Sequence, residues 1–394
     1  MNRTLLTIIL SQFFCTSLWF AGNAVTPEII AALNLQPSFL ANLTSAVQLG
    51  FIGGTLVFAL LAIADRFSPS KVFFISAVVA ALINSLINLR GNSPGELLAI
   101  RFFTGFCLAG IYPVGMKIAS DHFQQGLGKS LGWLVGALVL GTALPHLLKT
   151  AGTKFPWQYV INATSVLAFV GGLAIYVLVP DGAYRKKLST AKNKTGSREK
   201  NQGSIGSILK SSAAFKSAAL GYFGHMWELY AFWAFVPVIL VNYRHRFPLV
   251  QLNSSWWSFL IIASGAVACV LGGLISQKYP PQKIAAIALA ISGTCCILSP
   301  FFLLQDSPVV LMVFLLIWGM SVVADSPLFS TLVAQNAPDA LRGVSLTIIT
   351  CIGFSVTILS IQLLGQLVEI MAVEYVFLFL AIGPLLGLLA LRKK

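Results

Sequence analysis

Residues 64–89 read ADRFSPSKVFFISAVVAALINSLINL, a short charged segment followed by a long apolar one. The apolar part, residues 72–89, carries no charged side chain. Its length is close to the roughly 20 residues that an α-helix needs to cross a bilayer. The charged segment contains Asp65, Arg66 and Lys71. An apolar run of this length that follows basic residues predicts a membrane-spanning helix beginning at a charged membrane surface.

The rest of the chain has a similar composition. Of its 394 residues, 57% are hydrophobic and 10% are charged, whereas soluble proteins carry about 25% charged residues. Lipid is the solvent that can cover so much apolar surface, so a bilayer is the expected environment. The net charge of +14 could suggest nucleic acid, but the basic residues form short clusters between apolar runs. That pattern indicates membrane topology, and we expect no nucleic-acid partner.

Twelve apolar stretches are long enough to span a bilayer. In the first half they cover residues 5–26, 39–63, 72–89, 98–119, 130–148 and 157–179. In the second half they cover residues 217–241, 255–276, 284–304, 308–333, 343–366 and 371–391. A basic segment rich in Ser, Gly and Asn separates the two sets, so we expect a flexible linker at residues 181–212 between bundles at residues 1–180 and 213–394.

The Lys and Arg residues predict the orientation of the spans, because loops rich in these residues stay in the cytoplasm. With the N-terminus inside, the inner side carries Arg3, Arg66, Lys117, the basic linker and Arg392. We therefore expect a multi-pass protein of the cell inner membrane, with both termini and the linker in the cytoplasm.

The charged loop before residue 72 has a counterpart at residues 276–283, which read SQKYPPQK. The two loops are 212 positions apart, and this interval aligns Arg66 with Lys278. Pro113 in span four and Pro327 in span ten have nearly the same spacing. Two matches at nearly one interval, each at the same place in its half, predict an internal duplication.

At these residues the chain resembles the major facilitator superfamily, whose loop after span two reads G-x-x-x-D-R-x-G-R-[KR]. The chain keeps Asp65 and Arg66, but it has Leu61 and Ser68 at the glycine positions and Pro69 at an arginine position. In span four, Arg101-Phe102-Phe103-Thr104-Gly105 is similar to the family's R-x-x-x-G motif. Span five weakly resembles a glycine-rich motif of antiporter members, through Gly132, Gly136, Gly141 and Pro145. The resemblance covers nearly the whole chain.

The resemblance implies an all-α membrane protein with twelve transmembrane helices in two pseudo-symmetric six-helix bundles. A substrate cavity lined by spans one, four, seven and ten would lie between the bundles, which rock around a site near the midplane. Asp65, Arg66, Lys71 and Lys278 would form a cytoplasmic gate, although Asp65 and Arg66 could instead serve only to set topology. Members of the family are expected to act as monomers.

Ionisable side chains inside spans are costly in lipid, so each one is a candidate for function. They are Arg101 and Lys117 in span four, His146 in span five, His225 and Glu228 in span seven, and Asp325 in span ten. All except His146 lie on spans that the resemblance assigns to the cavity.

Glu228 lies near the middle of span seven, and His225 precedes it by three residues, so the two share one face of a helix. A carboxyl group and an imidazole can take up and release a proton when their surroundings change. Asp325 precedes Pro327, which loosens the helix locally. We expect Glu228, His225 and Asp325 to couple transport to protons. The alternatives are a fixed salt bridge from Glu228 to Arg101 or Lys117, and a polar contact of Asp325 within the second bundle.

The candidates for contact with substrate are Arg101, Lys117, Asn23, Trp227 and Tyr230. Arg101 could bind an anionic substrate or hydrogen-bond within its own bundle, and Lys117 could extend its amino group to the membrane surface. The aromatic residues could stack on a planar substrate or pack the helices.

No phosphate-binding loop, zinc-protease motif or serine-hydrolase motif occurs in the sequence, and its six cysteines show no ligand spacing. We therefore expect no enzymatic activity and no cofactor or metal. The sequence predicts a secondary active transporter that moves a small organic molecule by alternating access, coupled to protons, with export slightly favoured. The alternatives are an uptake symporter for a small anion and a non-transporting membrane sensor.

Overall fold

The computed structural model describes residues 2–89, 91–123, 127–152, 155–185, 212–338 and 342–392. For residues 127–131 it describes the backbone alone. Every regular element in these ranges is helical. Twelve helices are long and apolar enough to cross a membrane, so the predicted spans are confirmed. Most of the predicted linker, with its basic residues from Lys186 to Lys210, lies outside the described residues.

The spanning helices are numbered α1 to α12. The first six are α1 (Arg3–Leu33), α2 (Phe39–Leu60), α3 (Pro69–Asn88), α4 (Pro94–His122), α5 (Leu127–Ala151) and α6 (Gln158–Leu178). The second six are α7 (Ala213–Arg246), α8 (Ser254–Ile275), α9 (Pro281–Leu303), α10 (Pro308–Asn336), α11 (Arg342–Ile370) and α12 (Val373–Arg392). A one-turn helix, Ile63–Arg66, lies in the loop after α2.

Helix α1 is longer than the sequence indicated. It consists of the segments Arg3–Thr16, Leu18–Ala24 and Thr26–Leu33, whereas the predicted span ended near residue 26. The last segment has Pro27 in its first turn. A proline is tolerated there, because an N–H group in the first turn has no partner within the helix.

Helices α4 and α10 are interrupted at equivalent places. Helix α4 divides into Pro94–Leu108 and Tyr112–His122, and α10 divides into Pro308–Ala324 and Ser326–Asn336. The second segment of each has a proline, Pro113 or Pro327, in its first turn. Because proline cannot donate the hydrogen bond that would continue the helix, the two matched prolines explain two matched breaks.

The twelve helices pack as two bundles, α1–α6 and α7–α12, and the main contacts between the bundles are α2 with α11 and α5 with α8. Within the first bundle, α2 and α4 lie unusually close together. A Cβ atom at Gly50 would overlap the backbone of Phe102, and one at Gly105 would overlap the backbone of Val47. Small residues at such a crossing let two membrane helices approach closely, which accounts for the glycine of the span-four motif.

The side of the molecule that carries the start of α1 and the end of α12 is called the terminal face, and the opposite side is called the loop face. At the loop face, Gln362 Nε2 of α11 donates to Ser45 Oγ (2.9 Å) and Asn42 Oδ1 (3.2 Å) of α2. The backbone N–H of Ser38 donates to Glu369 Oε1 at 3.1 Å. These three hydrogen bonds, the loop-face latch, join the bundles on that side.

Candidate substrate cavity and buried ionisable groups

A cavity of about 590 Å³ lies between the two bundles, lined by residues of α2, α4, α5, α7, α10 and α11. Gln335 at the end of α10 and Arg342 at the start of α11 lie at its mouth, so it opens toward the terminal face. Small-molecule sites in proteins typically have volumes of about 300–1,000 Å³. The size and position of this cavity therefore suit a small organic molecule that enters from the terminal face.

Five aromatic side chains close the other end of the cavity and form the aromatic layer: Trp19, Phe51, Tyr230, Trp233 and Phe354. The Trp19 ring of the first bundle stacks on Tyr230 and Phe354 of the second, with ring centroids 5.8 and 5.7 Å apart. Phe51 and Phe354 also meet across the bundles at 4.6 Å. The layer separates the cavity from the loop face.

Unpaired polar atoms lie buried near the aromatic layer. Within the part of the chain that the structure describes, Trp19 Nε1, Asn23 Oδ1 and both amide atoms of Gln48 lack a hydrogen-bond partner. Asn23 Nδ2 donates to Thr44 Oγ1 at 2.6 Å. Gln48 lies one turn from Phe51 toward the loop face and is completely buried. A buried unpaired polar group costs about 1–3 kcal/mol, so these atoms are open hydrogen-bonding positions beside the aromatic layer.

Asp325 lies at the break in α10, next in sequence to the cavity residue Ser326. Its side chain turns away from the cavity, and its Oδ1 lies 2.8 Å from Nδ1 of His225 on α7, with both side chains 1% exposed. His225 Nε2 and Asp325 Oδ2 have no hydrogen-bond partner among the described residues. This buried pair is therefore only partly satisfied.

Glu228 lies one turn further along α7 and is completely buried inside the second bundle. Its Oε1 accepts hydrogen bonds from Trp318 Nε1 (2.6 Å) and Cys296 Sγ (3.2 Å), and its Oε2 accepts one from Ser292 Oγ (2.8 Å). These three donors are neutral. No cation of the described residues contacts Glu228. His225 lies against Asp325 rather than against Glu228.

Arg101 is completely buried inside the first bundle, away from the cavity. Its guanidinium donates to the carbonyl oxygen of Leu18 (3.0 Å), to the carbonyl oxygen of Trp19, and to Asn84 Oδ1 (3.4 Å). Arg101 therefore holds the segment of α1 that carries Trp19 into the aromatic layer.

The contacts of Arg101 and Glu228 occupy corresponding places in the two bundles. In the first bundle, Arg101 of α4 contacts α1 and, through Asn84, α3. In the second bundle, Glu228 of α7 accepts hydrogen bonds from Trp318 of α10 and Cys296 of α9. Asn84 and Cys296 are 212 positions apart, the interval found between the two charged loops. Each bundle thus contains a buried hydrogen-bond network that joins three helices. A cation is at its centre in the first bundle and a carboxyl group in the second.

The expected gate residues lie at the terminal face. Asp65 Oδ1 lies 3.0 Å from Nζ of Lys117, which is also 3.6 Å from Asp121 Oδ1, so these charges pair within the first bundle. Arg66, Lys71 and Lys278 are exposed to solvent. The gating role of this loop therefore stays a prediction.

Of the remaining candidates, Tyr230 lines the cavity, whereas Trp227 Nε1 donates to the carbonyl oxygen of Phe379 in α12 at 3.1 Å. The expected contributions of α4, α7 and α10 to the cavity are present, and α1 contributes Trp19 at its closed end. The wall formed by α2 and α11, including Phe51, Phe354 and Arg342, was not predicted from the sequence. A signal for this wall was the pair of hydroxyl side chains at helical spacing in α11, Thr347 and Thr350.

Comparisons with known proteins agree with this architecture. The niacin transporter NiaP of Acinetobacter baylyi (strain ATCC 33305 / BD413 / ADP1) is 26% identical over 364 residues, covering 79% of this chain and 76% of the relative. The putative multidrug resistance protein MdtD of Pectobacterium carotovorum subsp. carotovorum (strain PC1) is 29% identical over 175 residues, covering 41% of this chain and 35% of the relative.

Among solved structures, a bacterial homolog of the human lysosomal transporter Spinster, in an inward-facing and unoccupied conformation, has the same fold. It superposes with a TM-score of 0.73 at 14% identity, covering 100% of this chain and 98% of that chain. The sequence profile of the Major Facilitator Superfamily matches residues 8–361. With twelve spanning helices in two bundles around a central cavity, the chain is a multi-pass membrane transporter that belongs to the major facilitator superfamily.

Proposed function

We propose that this chain is a proton-coupled secondary active transporter for a small planar organic molecule, which it exports in exchange for protons. The observation that carries the proposal is a cavity between the bundles that ends in aromatic rings and adjoins a buried, partly satisfied ionisable pair, His225 and Asp325. Substrate would bind in the cavity, and the pair behind its wall would exchange a proton as the bundles rock.

The lining of the cavity supports the substrate class. Tyr230, Trp233 and Phe354 offer flat ring faces on which a planar molecule can stack. Hydroxyl groups such as those of Thr55 and Ser330 can orient its polar atoms. Among the described lining residues Arg342 is the only charged one, so the site suits a neutral or weakly acidic molecule. The relative that carries niacin, a planar aromatic acid, favours the same class.

The position of the ionisable pair supports proton coupling. Tyr222 lines the cavity, and its ring centroid lies 6.2 Å from that of His225. Asp325 is the residue at which α10 is interrupted, so movement of the second segment changes the surroundings of its carboxyl group. Ionisable groups within spans commonly form proton relays. Glu228, held by three neutral donors, is the second candidate for the coupled proton.

Export is favoured by two observations. The glycines and proline of α5, including Gly141 and Pro145, resemble a motif of antiporters. The partial relative MdtD is named as a putative multidrug resistance protein, which is consistent with outward transport. Uptake of a small aromatic anion together with protons is the second candidate, favoured by Arg342 at the mouth of the cavity and by the niacin-transporting relative.

The test is the pH change inside lightly buffered proteoliposomes challenged with niacin, other aromatic acids and planar cationic drugs. We expect the wild-type protein to produce a substrate-dependent proton flux, whose sign separates exchange from co-transport. Asp325→Asn should abolish this flux while substrate counterflow continues, and Glu228→Gln tests the second candidate. Asp306→Asn, the same change at an exposed carboxylate of the second bundle, is the matched control and should behave as wild type.

Two results would contradict the proposal. Substrate-driven proton flux of wild-type size in Asp325→Asn would remove the His225–Asp325 pair from the coupling mechanism. Substrate flux without any proton movement in the wild-type protein would show a facilitator, or a carrier coupled to another ion.

A further inference from the structure

A second cavity, of about 660 Å³, opens at the terminal face of the first bundle, between the end of α2 and the start of α3. We name it the α2–α3 crevice. Its apolar floor includes Phe58, Val72 and Ile75, and its rim includes Arg66, Lys71 and Arg185. The crevice lies outside the substrate cavity and shares none of its lining residues.

The exposed side chains around the crevice indicate that it lies where the hydrocarbon of a bilayer meets the headgroups. Ile75, one turn into α3 from Lys71, is 59% exposed, and Leu60 at the end of α2 is 81% exposed. These residues belong to helices that span the membrane, so lipid chains are their expected neighbours. The basic side chains of the rim lie beside them at the height of the headgroups.

The charges of the crevice do not cancel. Its one lining carboxylate, Asp65, lies 3.0 Å from Nζ of Lys117. The exposed side chains of Arg66 and Lys71 have no carboxylate within ion-pair distance among the residues that the structure describes. Two uncompensated cations therefore lie above an apolar floor.

The start of the linker forms one wall of the crevice. Arg185 donates to the carbonyl oxygen of Phe67 at 2.8 Å and pairs with Asp181, whose Oδ1 accepts a hydrogen bond from Ser68 Oγ at 2.6 Å. The backbone N–H of Tyr184 donates to the carbonyl oxygen of Asp121 at 3.0 Å. These contacts hold residues 181–185 against the first bundle, so the crevice has a defined shape on the side of the linker.

We propose that the α2–α3 crevice binds one anionic phospholipid. Its phosphate lies between Arg66 and Lys71, and one acyl chain covers the apolar floor beside Phe58 and Ile75. Basic pockets between spanning helices at a cytoplasmic surface are suited to acidic lipid headgroups. A free phosphate ion would satisfy the two cations but would leave the floor uncovered, and a zwitterionic lipid would bring no net charge to them.

The internal duplication supplies a matched control for the experiment. Lys278 and Lys283 occupy the positions of the second loop that correspond to Arg66 and Lys71, and they lie at the same face of the second bundle. The pair Arg66→Gln and Lys71→Gln and the pair Lys278→Gln and Lys283→Gln therefore remove equal charge from equivalent loops. All four side chains are exposed, so both double variants should fold.

The measurement is native mass spectrometry of the full chain in mild detergent, titrated with phosphatidylglycerol or with phosphatidylcholine. We expect wild-type protein to retain one phosphatidylglycerol in preference to phosphatidylcholine. Each basic residue near a membrane surface contributes about 1 kcal/mol, so the variant lacking Arg66 and Lys71 should bind phosphatidylglycerol about 10-fold to 30-fold more weakly. The control lacking Lys278 and Lys283 should stay within about 2-fold of wild type, because the proposed site is in the other bundle.

The proposal is wrong if both double variants lose the same affinity, which would indicate general attraction to a basic surface. Equal retention of the two lipids by wild-type protein would also overturn it. Displacement of bound phosphatidylglycerol by an equimolar amount of inorganic phosphate would show a site for the free ion instead. None of these readouts requires transport, so the result is independent of the proposed function.

Discussion

Gln362→Ala should shift the transporter toward the conformation that is open at the loop face. Gln362 makes two of the three hydrogen bonds of the loop-face latch, to Ser45 Oγ at 2.9 Å and to Asn42 Oδ1 at 3.2 Å. Asn42 is exposed, so water can replace part of the loss, and each bond contributes about 0.5–1.5 kcal/mol. Losing both hydrogen bonds destabilises the observed conformation by about 1–2 kcal/mol. It does not destabilise a conformation in which α2 and α11 are separated at the loop face.

A loss of this size changes the ratio of the two conformations by a factor of about 5–30. The change can be read from a cysteine introduced at Gln48, which is completely buried in the observed conformation. The six native cysteines are replaced by serine, and a membrane-impermeant maleimide is added on the side of the loop face. We expect Gln362→Ala to increase the labelling rate of Gln48→Cys about 5-fold to 30-fold.

Gln282→Ala is the matched control, because Gln282 Nε2 donates to the carbonyl oxygen of Leu391 at 3.0 Å within the second bundle. Its loss weakens one bundle without separating the two, so the labelling rate should change by less than about 2-fold. If Gln362→Ala leaves the rate unchanged, the latch does not hold the bundles together. An equal rise in both variants would indicate general loosening of the helices.

Three further predictions concern the packing of the bundles. Glu228→Leu leaves the Trp318 N–H unpaired and should lower the free energy of unfolding by about 1–3 kcal/mol. Glu228→Gln keeps a hydrogen-bond acceptor and should lower it less, and thermal unfolding in detergent compares the two variants. Arg101→Met removes the donors that hold the break in α1 and should reduce transport by at least about 10-fold with membrane insertion intact, measured by flux per inserted protein. Gly105→Ala forces α2 and α4 apart and should lower the free energy of unfolding by about 1–3 kcal/mol. At Gly273→Ala nothing lies within 4 Å of the new methyl group, so the free energy of unfolding should change little, and thermal unfolding compares the two variants.

The twelve spans could be predicted from the sequence, because the length and polarity of an apolar run depend only on neighbouring residues. The break in α10 was also indicated, since Pro327 follows Asp325 and loosens the helix there, whereas Pro113 was matched to it without a break in α4 being expected. The extension of α1 to Leu33 was missed, because the polar residues Thr26 and Glu28 ended the apolar run before the helix ended.

The arrangement of the buried charges could not be predicted in the same way. Helical spacing shows that His225 and Glu228 share one side of α7, but it does not show which neighbouring helix faces each side chain. In the structure Asp325, which follows His225 by 100 residues in the chain, contacts it, and Trp318 contacts Glu228. Arg101 stood out as a charge in an apolar span, yet two of its three hydrogen-bond partners are backbone carbonyl oxygens, which every residue possesses and no sequence pattern distinguishes.

The aromatic layer also determines where a membrane voltage acts. If water fills the cavity, the electrical potential of the terminal face reaches Tyr230 and Trp233, and the voltage then falls across the sealed part beyond them rather than across the whole bilayer. In the proposed transport cycle the seal moves to the other end, and a charge beside the cavity then passes from the potential of one aqueous phase to that of the other while hardly moving itself. Each elementary charge transferred in this way is worth about 2.3 kcal/mol per 100 mV. If the bundles rock as proposed, the membrane voltage of a resting cell favours one of their two conformations, and the thickness of the aromatic layer sets the steepness of the field.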